Sequence, residues 1–366
     1  MGFISKTAAF MGMASLRDLV SDSIAIDMGS GATIIYVHGR GVVVDEPSLV
    51  AVNNISGEVI AVGVEARQMY GREARDVSVV APLLNGVVAD FERTREMLAY
   101  FVRQARSGAS FFSRRALMSV YPGVTHVERR ALLTAAEHAR IGRVMMMDEG
   151  LAAAFGAGVK LEDTRASAVV DIGSGTTNVA VVGNGAIIHS RSERIGSADI
   201  NTAIVNHVRR HRGLAIGPLS AERLKLELAS AILPEDLGRE ITVRGRDVVT
   251  GSPGAIRITA GEVYPVAQYV VAKIGEGVST TLAELSPEVA GDIYDRGIIL
   301  TGGGALFNGI DDYLREQTKL TVRIADEPRH AIVRGLAQMF DDPLLLRRAV
   351  RSEAPPLLDE NEAYSV

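Results

Sequence analysis

Ile24-Ala25-Ile26-Asp27-Met28-Gly29-Ser30-Gly31-Ala32-Thr33 and Ala168-Val169-Val170-Asp171-Ile172-Gly173-Ser174-Gly175-Thr176-Thr177 spell one pattern twice: an apolar strand, Asp-x-Gly-Ser-Gly, then a second β-rich run. Each second run, residues 34–37 and 179–182, leads to a turn signal, Gly39-Arg40-Gly41 or Gly183-Asn184-Gly185, and then to a further strand. The separation is far too long for a solenoid, so the units read as halves of a duplicated architecture, two similar lobes facing one another. A strand that ends in Gly-Ser-Gly and doubles back presents consecutive backbone N–H groups, and its glycines let a phosphate approach without meeting a Cβ. An Asp just before that turn can hold a hydrated divalent cation, most simply Mg²⁺. One such hairpin alone would serve equally as an ordinary turn. The matched pair in strand context points to a triphosphate clamped from both sides.

A third glycine cluster follows the strand Arg296-Gly297-Ile298-Ile299-Leu300-Thr301. Gly302-Gly303-Gly304 opens onto Ala305-Leu306-Phe307 and a periodic helix over 310–317. Backbone without side chains at such a junction permits flat packing against a base or ribose, although a tight structural turn would use the same residues. Helical periodicity also covers 93–106, 126–140, 151–158, 197–210 and 220–232. Residues 241–249 read as a strand, and 259–285 as one long helix or a broken one. Strands alternating with helices throughout indicate an α/β fold with mixed sheets.

Composition narrows the function classes. The chain has 366 residues, 47% hydrophobic and 23% charged, enough apolar material for a two-lobed core. A net charge of −5 lacks the basic stripe that a nucleic-acid partner requires. With no cysteine, disulfides and thiolate chemistry are excluded, which suits a reducing cytoplasm, and the histidines show no paired zinc spacing. No apolar run is long enough to span a bilayer. Residues 1–22 are apolar nonetheless, with Phe3, Ile4, Phe10, Met11, Met13, Leu16 and Leu19 among few charges. Gly12 and Ser15 interrupt the run that a signal peptide needs, and Lys6 spoils a myristoylation motif. An interfacial helix and a frayed or lobe-packed terminus remain as readings.

With these motifs in place, the chain resembles the superfamily of actin, DnaK-type chaperones and sugar kinases, and within it the MreB family of filament-forming bacterial actins. The similarity runs over about 24–340 and includes Gly41-Val42-Val43-Val44-Asp45-Glu46-Pro47, Gly86-Val87-Val88-Ala89-Asp90-Phe91, Val127-Glu128-Arg129-Arg130-Ala131 and Val243-Arg244-Gly245-Arg246-Asp247. The resemblance implies an actin-like two-lobed α/β fold, with duplicated mixed sheets flanked by helices around an interlobe nucleotide cleft. Lobe I would span 23–165, lobe II 166–345, and a disordered tail 346–366. It implies ATP and Mg²⁺ as ligands, Asp27 and Asp171 holding the metal through water. Ser30, Gly31, Ala32, Ser174, Gly175 and Thr176 would touch phosphates. Residues Glu222, Arg223, Leu224 and Lys225 would meet ribose and adenine, Glu222 and Lys225 sharing one helix face. As a bare pair, those two would read as a solvated salt bridge. Gly302, Gly303, Gly304, Ala305 and Leu306 would form the adenosine turn. Glu149 matches the residue that positions or deprotonates the attacking water, which suits γ-phosphate hydrolysis. Phe111 and Phe112, followed by Arg114 and Arg115, fall where the family carries a membrane-dipping loop, although the rings could also pack beneath the next strand.

Several positions depart from the family pattern near the cleft: Ala32 for Asn, Ser174 for Gly, Asn178 for Glu, Gly150 for Pro, and Ser197-Ala198 for Gly-Asp. The acids stay, so nucleotide binding is expected, and the hydrolysis rate is the property these changes touch. The implied function is a slow ATPase coupled to self-assembly into filaments, cytoplasmic and peripheral on the inner membrane face, working with cell-wall elongation proteins. An actin-fold phosphotransferase and a filament with another positioning role are the alternatives. The first would need an acceptor pocket with its own base, and no such constellation stands outside the cleft residues.

Overall fold

A computed structural model describes residues 23–106, 115–160, 162–341 and 346. Segment 1–22, Phe111 and Phe112, and residues 347–366 lie outside them. The first half runs β1 (Ser23–Met28), β2 (Ala32–Val37), β3 (Gly41–Pro47), β4 (Val50–Asn53), β5 (Val59–Val62), α1 (Val64–Met69), β6 (Val77–Val80), β7 (Leu83–Leu84), β8 (Val87–Val88), α2 (Phe91–Ala105), β9 (Arg115–Val120), α3 (His126–His138), β10 (Val144–Asp148) and α4 (Glu149–Gly156). The second continues with β11 (Ser167–Ile172), β12 (Thr177–Gly183), β13 (Ala186–Glu193), α5 (Ser197–Arg212), β14 (Leu214–Ala215), α6 (Pro218–Leu228), β15 (Glu240–Asp247), β16 (Pro253–Thr259), α7 (Ala260–Ala283), α8 (Pro287–Arg296), β17 (Ile298–Thr301), α9 (Ile310–Thr318), β18 (Val322–Ile324) and α10 (Ala331–Asp341).

The repeated motif yields repeated sheets. One is ordered β10-β9-β1-β2-β3 and the other β13-β12-β11-β17-β18. In each, the Asp-bearing strand pairs antiparallel with the strand after its turn and parallel with a strand from far along the chain. β1 and β11 are buried at every position, as a strand covered on both faces must be, and their near-continuous apolar runs reflect it. Smaller sheets, β5-β4-β6 and β14-β15-β16, extend the two halves.

One core lies within the first half, around Met97, Leu98, Phe101 and Met118, and another within the second, around Ile204, Leu224, Val271 and Leu300. A third joins them: Ala25, Ile34 and Leu117 pack with Val169, Ala180 and Leu336, and α4 and α10 run through it. At two points there the helices meet backbone to backbone. A Cβ on Gly156 would lie 1.8 Å from the Ala331 carbonyl oxygen, and one on Gly335 1.8 Å from that of Ala152. Although last in sequence, α10 also packs on β1, β2 and β9. Just before it, Arg329 bonds Asp45 of β3, and His330 Nε2 lies 3.1 Å from the same carboxylate.

Helices α4 and α6 depart from the periodicity, and α7 decides between the two readings of 259–285. α4 begins at Glu149, two residues before the pattern predicts, because the Asp148 side chain caps it, accepting from Gly150 N at 2.7 Å. α6 stops at Leu228, short of residue 232, because the next segment finds partners elsewhere: Ala231 N donates to Asn308 O at 2.8 Å. α7 runs unbroken through Pro265, which lies early in the helix and interrupts a single ladder bond.

The α4–α10 crossing sets a stability test. Gly156→Ala and Gly335→Ala should each lower unfolding free energy by about 2 kcal/mol or more, since backbone rather than a flexible side chain must yield. Gly291→Ala, in α8 with nothing within 4 Å of where the added Cβ would sit, should instead raise it by about 0.5–1 kcal/mol. Urea unfolding of the three variants checks both signs.

Candidate functional site

The two glycine turns close alike, by Gly29 N to Ala32 O at 3.0 Å and Gly173 N to Thr176 O at 2.8 Å. Their tips meet: a Cβ on Gly31 would stand 2.6 Å from the Ser174 Cβ. Ser174 is therefore accommodated because the opposing tip carries no side chain. The second turn rests on the start of α5, whose Ser197 and Ala198 amides donate to the Gly173 and Ser174 carbonyls at 3.0 and 2.8 Å. A hairpin between β7 and β8 touches both turns. Its Asn85 and Gly86 have φ of 49° and 80°, as a two-residue I′ turn requires. Gly86 N donates to Ser30 Oγ at 3.0 Å, and the Asn85 backbone comes within 3.2 Å of where a Gly175 Cβ would be. The Asn-Gly dipeptide flanked by apolar pairs is a legible turn signal, but nothing local assigns it to these loops.

Asp27 and Asp171 end β1 and β11, at 8% and 5% exposure. Each accepts one hydroxyl on Oδ1, from Ser119 at 2.8 Å and from Thr301 at 2.9 Å. Glu149, at the first position of α4, accepts on Oε2 from Asn178 Nδ2 at 2.9 Å, and Ser192 Oγ donates to Asn178 Oδ1 at 2.5 Å. Burial, with the charge of Asp171, pushes Asp27 up to about 7. Burial raises Asp171 to about 6. Glu149 is held well above the ordinary carboxylate range by burial and by the charges of Asp27, Asp171 and Asp148. The acids are thus close enough to oppose one another's ionisation. Such a set favours added positive charge. Among the described residues no group of three or more acidic, histidine or cysteine side chains could hold a metal ion directly. A cavity of about 20 Å³ beside Glu149, also lined by Ser119 and Gly86, has room for roughly one water.

On α6, Lys225 Nζ donates to Glu222 Oε2 at 2.9 Å and lies 3.4 Å from Ser197 O. Asn201 donates to the same Glu222 oxygen. Burial alone would raise Glu222, but Lys225, Asn201 and the charge of Arg67, from the first half, bring it below the usual range. Asn201 Oδ1 is buried with no hydrogen-bond partner, an acceptor that fits a ligand hydroxyl or amino group. Of their neighbours on α6, Leu224 is wholly buried in the core, and Arg223 pairs with Glu227 at 2.7 Å. In the glycine turn, Gly302 N donates to Pro328 O at 2.8 Å. Cβ atoms on Gly302 and Gly304 would collide with Ile172, at 2.4 and 2.3 Å, whereas nothing lies within 4 Å of one on Gly303. Gly303 alone faces open space. Ala305 is buried, and Leu306 is 63% exposed.

The raised acids set a pH dependence. In the unfolded chain an Asp ionises near 3.8, in the folded ligand-free chain at about 7 for Asp27 and about 6 for Asp171. The folded state therefore holds these protons more tightly. They do not oppose folding below about pH 4, and their ionisation subtracts stability as pH climbs towards 7. Thermal melting of nucleotide-free protein at pH 5 and pH 8 checks this: Asp27→Asn should shrink the loss on the alkaline side, gaining roughly 3 °C or more at pH 8.

The MreB/Mbl protein family model matches residues 21–347. The chain is 40% identical over 329 residues to the cell shape-determining protein MreB of Escherichia coli K12, covering 88% of this chain and 94% of that one. It is 38% identical over 319 residues to the cell shape-determining protein Mbl of Bacillus subtilis 168, covering 87% and 96%. The crystal structure of MreB5 of Spiroplasma citri bound to AMPPNP matches with a TM-score of 0.83 at 32% identity, over 89% of this chain and 97% of that one. A MamK double helical filament structure, 20% identical, shares the fold with a TM-score of 0.73 over 87% of this chain and 99% of its own. The fold is actin-like. Coverage of nearly the whole length, at this identity, places the chain in the MreB/Mbl family.

Proposed function

We propose that this chain binds ATP with Mg²⁺ between its lobes, assembles into filaments, and organises cell-wall growth and shape from the inner face of the membrane. The observation that carries the reading is the tip-to-tip meeting of the two Asp-bearing turns, Gly31 against Ser174, which puts two sets of backbone donors and two buried acids on one cleft. MreB5 of S. citri has been crystallised with AMPPNP and with ADP, and the E. coli and B. subtilis relatives are named for determining cell shape.

In this reading Asp27 and Asp171 hold the hydrated ion. Ser30, Gly31 and Ala32, with Ser174, Gly175 and Thr176, offer donors to the phosphates. When bound, the ion supplies positive charge that offsets repulsion among phosphates and acids. Glu222 and Lys225 take ribose and base, with Asn201 Oδ1 as a further acceptor, and Gly303 gives the flat approach in the turn 302–306. Glu149 orients the attacking water in a slow hydrolysis coupled to filament turnover. A head-to-tail contact that does not close on itself yields an open polymer. Lobes 23–165 and 166–345 are the moving units, joined by the α4–α10 crossing. No helix among the described residues is long and apolar enough to cross a membrane. Attachment falls to the apolar segment 1–22 and to Phe111 and Phe112 beside Arg114 and Arg115, with cell-wall elongation proteins as partners.

Sedimentation and electron microscopy of the purified chain with ATP, ADP or neither, with and without anionic liposomes, test the reading. Filaments that need ATP and are enriched on liposomes are the expected outcome. A strictly monomeric protein that phosphorylates an added small molecule would replace it with a kinase. Replacing both Asp27 and Asp171 with Ala should weaken Mg-ATP binding by at least about 100-fold, the cost of two charge-assisted contacts; unchanged affinity removes the site.

A further inference from the structure

We propose that Asn178 is the positioning residue for Glu149: its carboxamide, fixed at one end by Ser192, occupies one carboxylate oxygen and leaves the other to orient the attacking water. The inference rests on the reading that ATP is hydrolysed at Glu149.

The duplicated fold supplies an internal control. Asn178 stands directly opposite Asp171 across the β11–β12 ladder, and the matching position opposite Asp27 across β1–β2 is Ile34. Both are buried, at 1% and 3% exposure. An aliphatic side chain therefore fills this place in the fold without difficulty. A buried amide there costs desolvation unless its donors and acceptor are used, so packing alone does not account for it. Its polar ends are used in one direction. The amide nitrogen donates to Glu149 Oε2, 2.9 Å away, and the amide oxygen accepts from the Ser192 hydroxyl at 2.5 Å. Rotation about the last torsion of a glutamate is otherwise broad. Two hydrogen bonds in series narrow it, and they anchor the base, on α4, to the hairpin that follows the second glycine turn.

In the step concerned, the water oxygen forms a bond to the γ-phosphorus and the bond to the β–γ bridging oxygen breaks, its electron pair leaving with ADP. One water proton passes to Glu149. Holding Oε2 fixes where Oε1 receives that proton.

The test measures ATP affinity and single-turnover phosphate release at saturating Mg-ATP for the full chain and for Asn178→Asp, Asn178→Ile, Ser192→Ala and Glu149→Gln. Asn178→Asp and Asn178→Ile should slow release by on the order of 100-fold while ATP affinity stays within about threefold, and Ser192→Ala should show a smaller loss of the same kind. Asn178→Ile carries the side chain already accommodated in the other half, so it guards against a variant that fails to fold. In the Glu149→Gln background, Asn178→Asp should add no further loss. If the unaltered chain binds ATP but releases no phosphate, the hydrolysis reading and this inference fall together. If it releases phosphate, Glu149→Gln abolishes release and both Asn178 variants keep it, the positioning role alone is overturned. A drop in affinity that matches the drop in rate overturns it too, because that marks a structural role.

Discussion

Three buried acids brought to one place, their ionisation opposed first by desolvation and then by neighbouring charge, are the constraint around which the site is built. Asp27 and Asp171 arrive from separate sheets, Glu149 from the helix between them; burial discourages the charge of all three, and neighbouring acids add to it at Asp27 and Glu149. A single hydroxyl donor on each Asp, from Ser119 and Thr301, softens this without removing it. Water is largely excluded, so the arrangement is costly until a positively charged occupant is present. Stability and occupancy are thereby linked, since a cation that bound the folded chain and not the unfolded one would relieve that repulsion and stabilise the fold. The bare backbone at Gly31 lets the tips of the two turns meet, and the α5 amides hold Gly173 and Ser174 in place.

What can be read from the chain alone follows from what is local. Apolar strands, Asp at their ends and glycine turns after them are short-range signals, and they carry the duplicated sheets, the facing turns and the third glycine cluster. Asn178 is legible as a polar residue inside an otherwise apolar run, but its partner is not, since Glu149 is set beside it only when the sheets pack. Ser119, Thr301, Asn201 and Asn85 give no local hint of their roles, because each acts through a contact with a residue distant in sequence. The end of α6 escapes a local reading for a similar reason, the periodic pattern persisting where a bond to Asn308 draws the backbone away. Gly302 and Gly304 look alike with Gly303 in sequence, and only packing against Ile172 separates two structural glycines from one that faces open space.

The two halves have kept a common frame and divided the work. Register across the ladders is the same, so Ile34 and Asn178 occupy equivalent places, as do Gly31 and Gly175. In the first half the position behind the acid serves the shared core, packing with Leu151 and Ala180; in the second it reaches Glu149. Symmetry of fold with asymmetry of side chains is what a cleft needs if one wall is to hold phosphates and the other is also to direct a water.

The α4–α10 crossing bears on how the molecule moves. Where helices meet through interlocked side chains, turning one past the other requires ridges to climb out of grooves. At Gly156 and Gly335 the contact is main chain on main chain, with no ridges to disengage. Were the two halves to turn about this crossing, little steric friction would resist them there. What such a turn would have to break is polar instead: the bonds of Arg329 and His330 to Asp45, which pin the approach to α10 against β3.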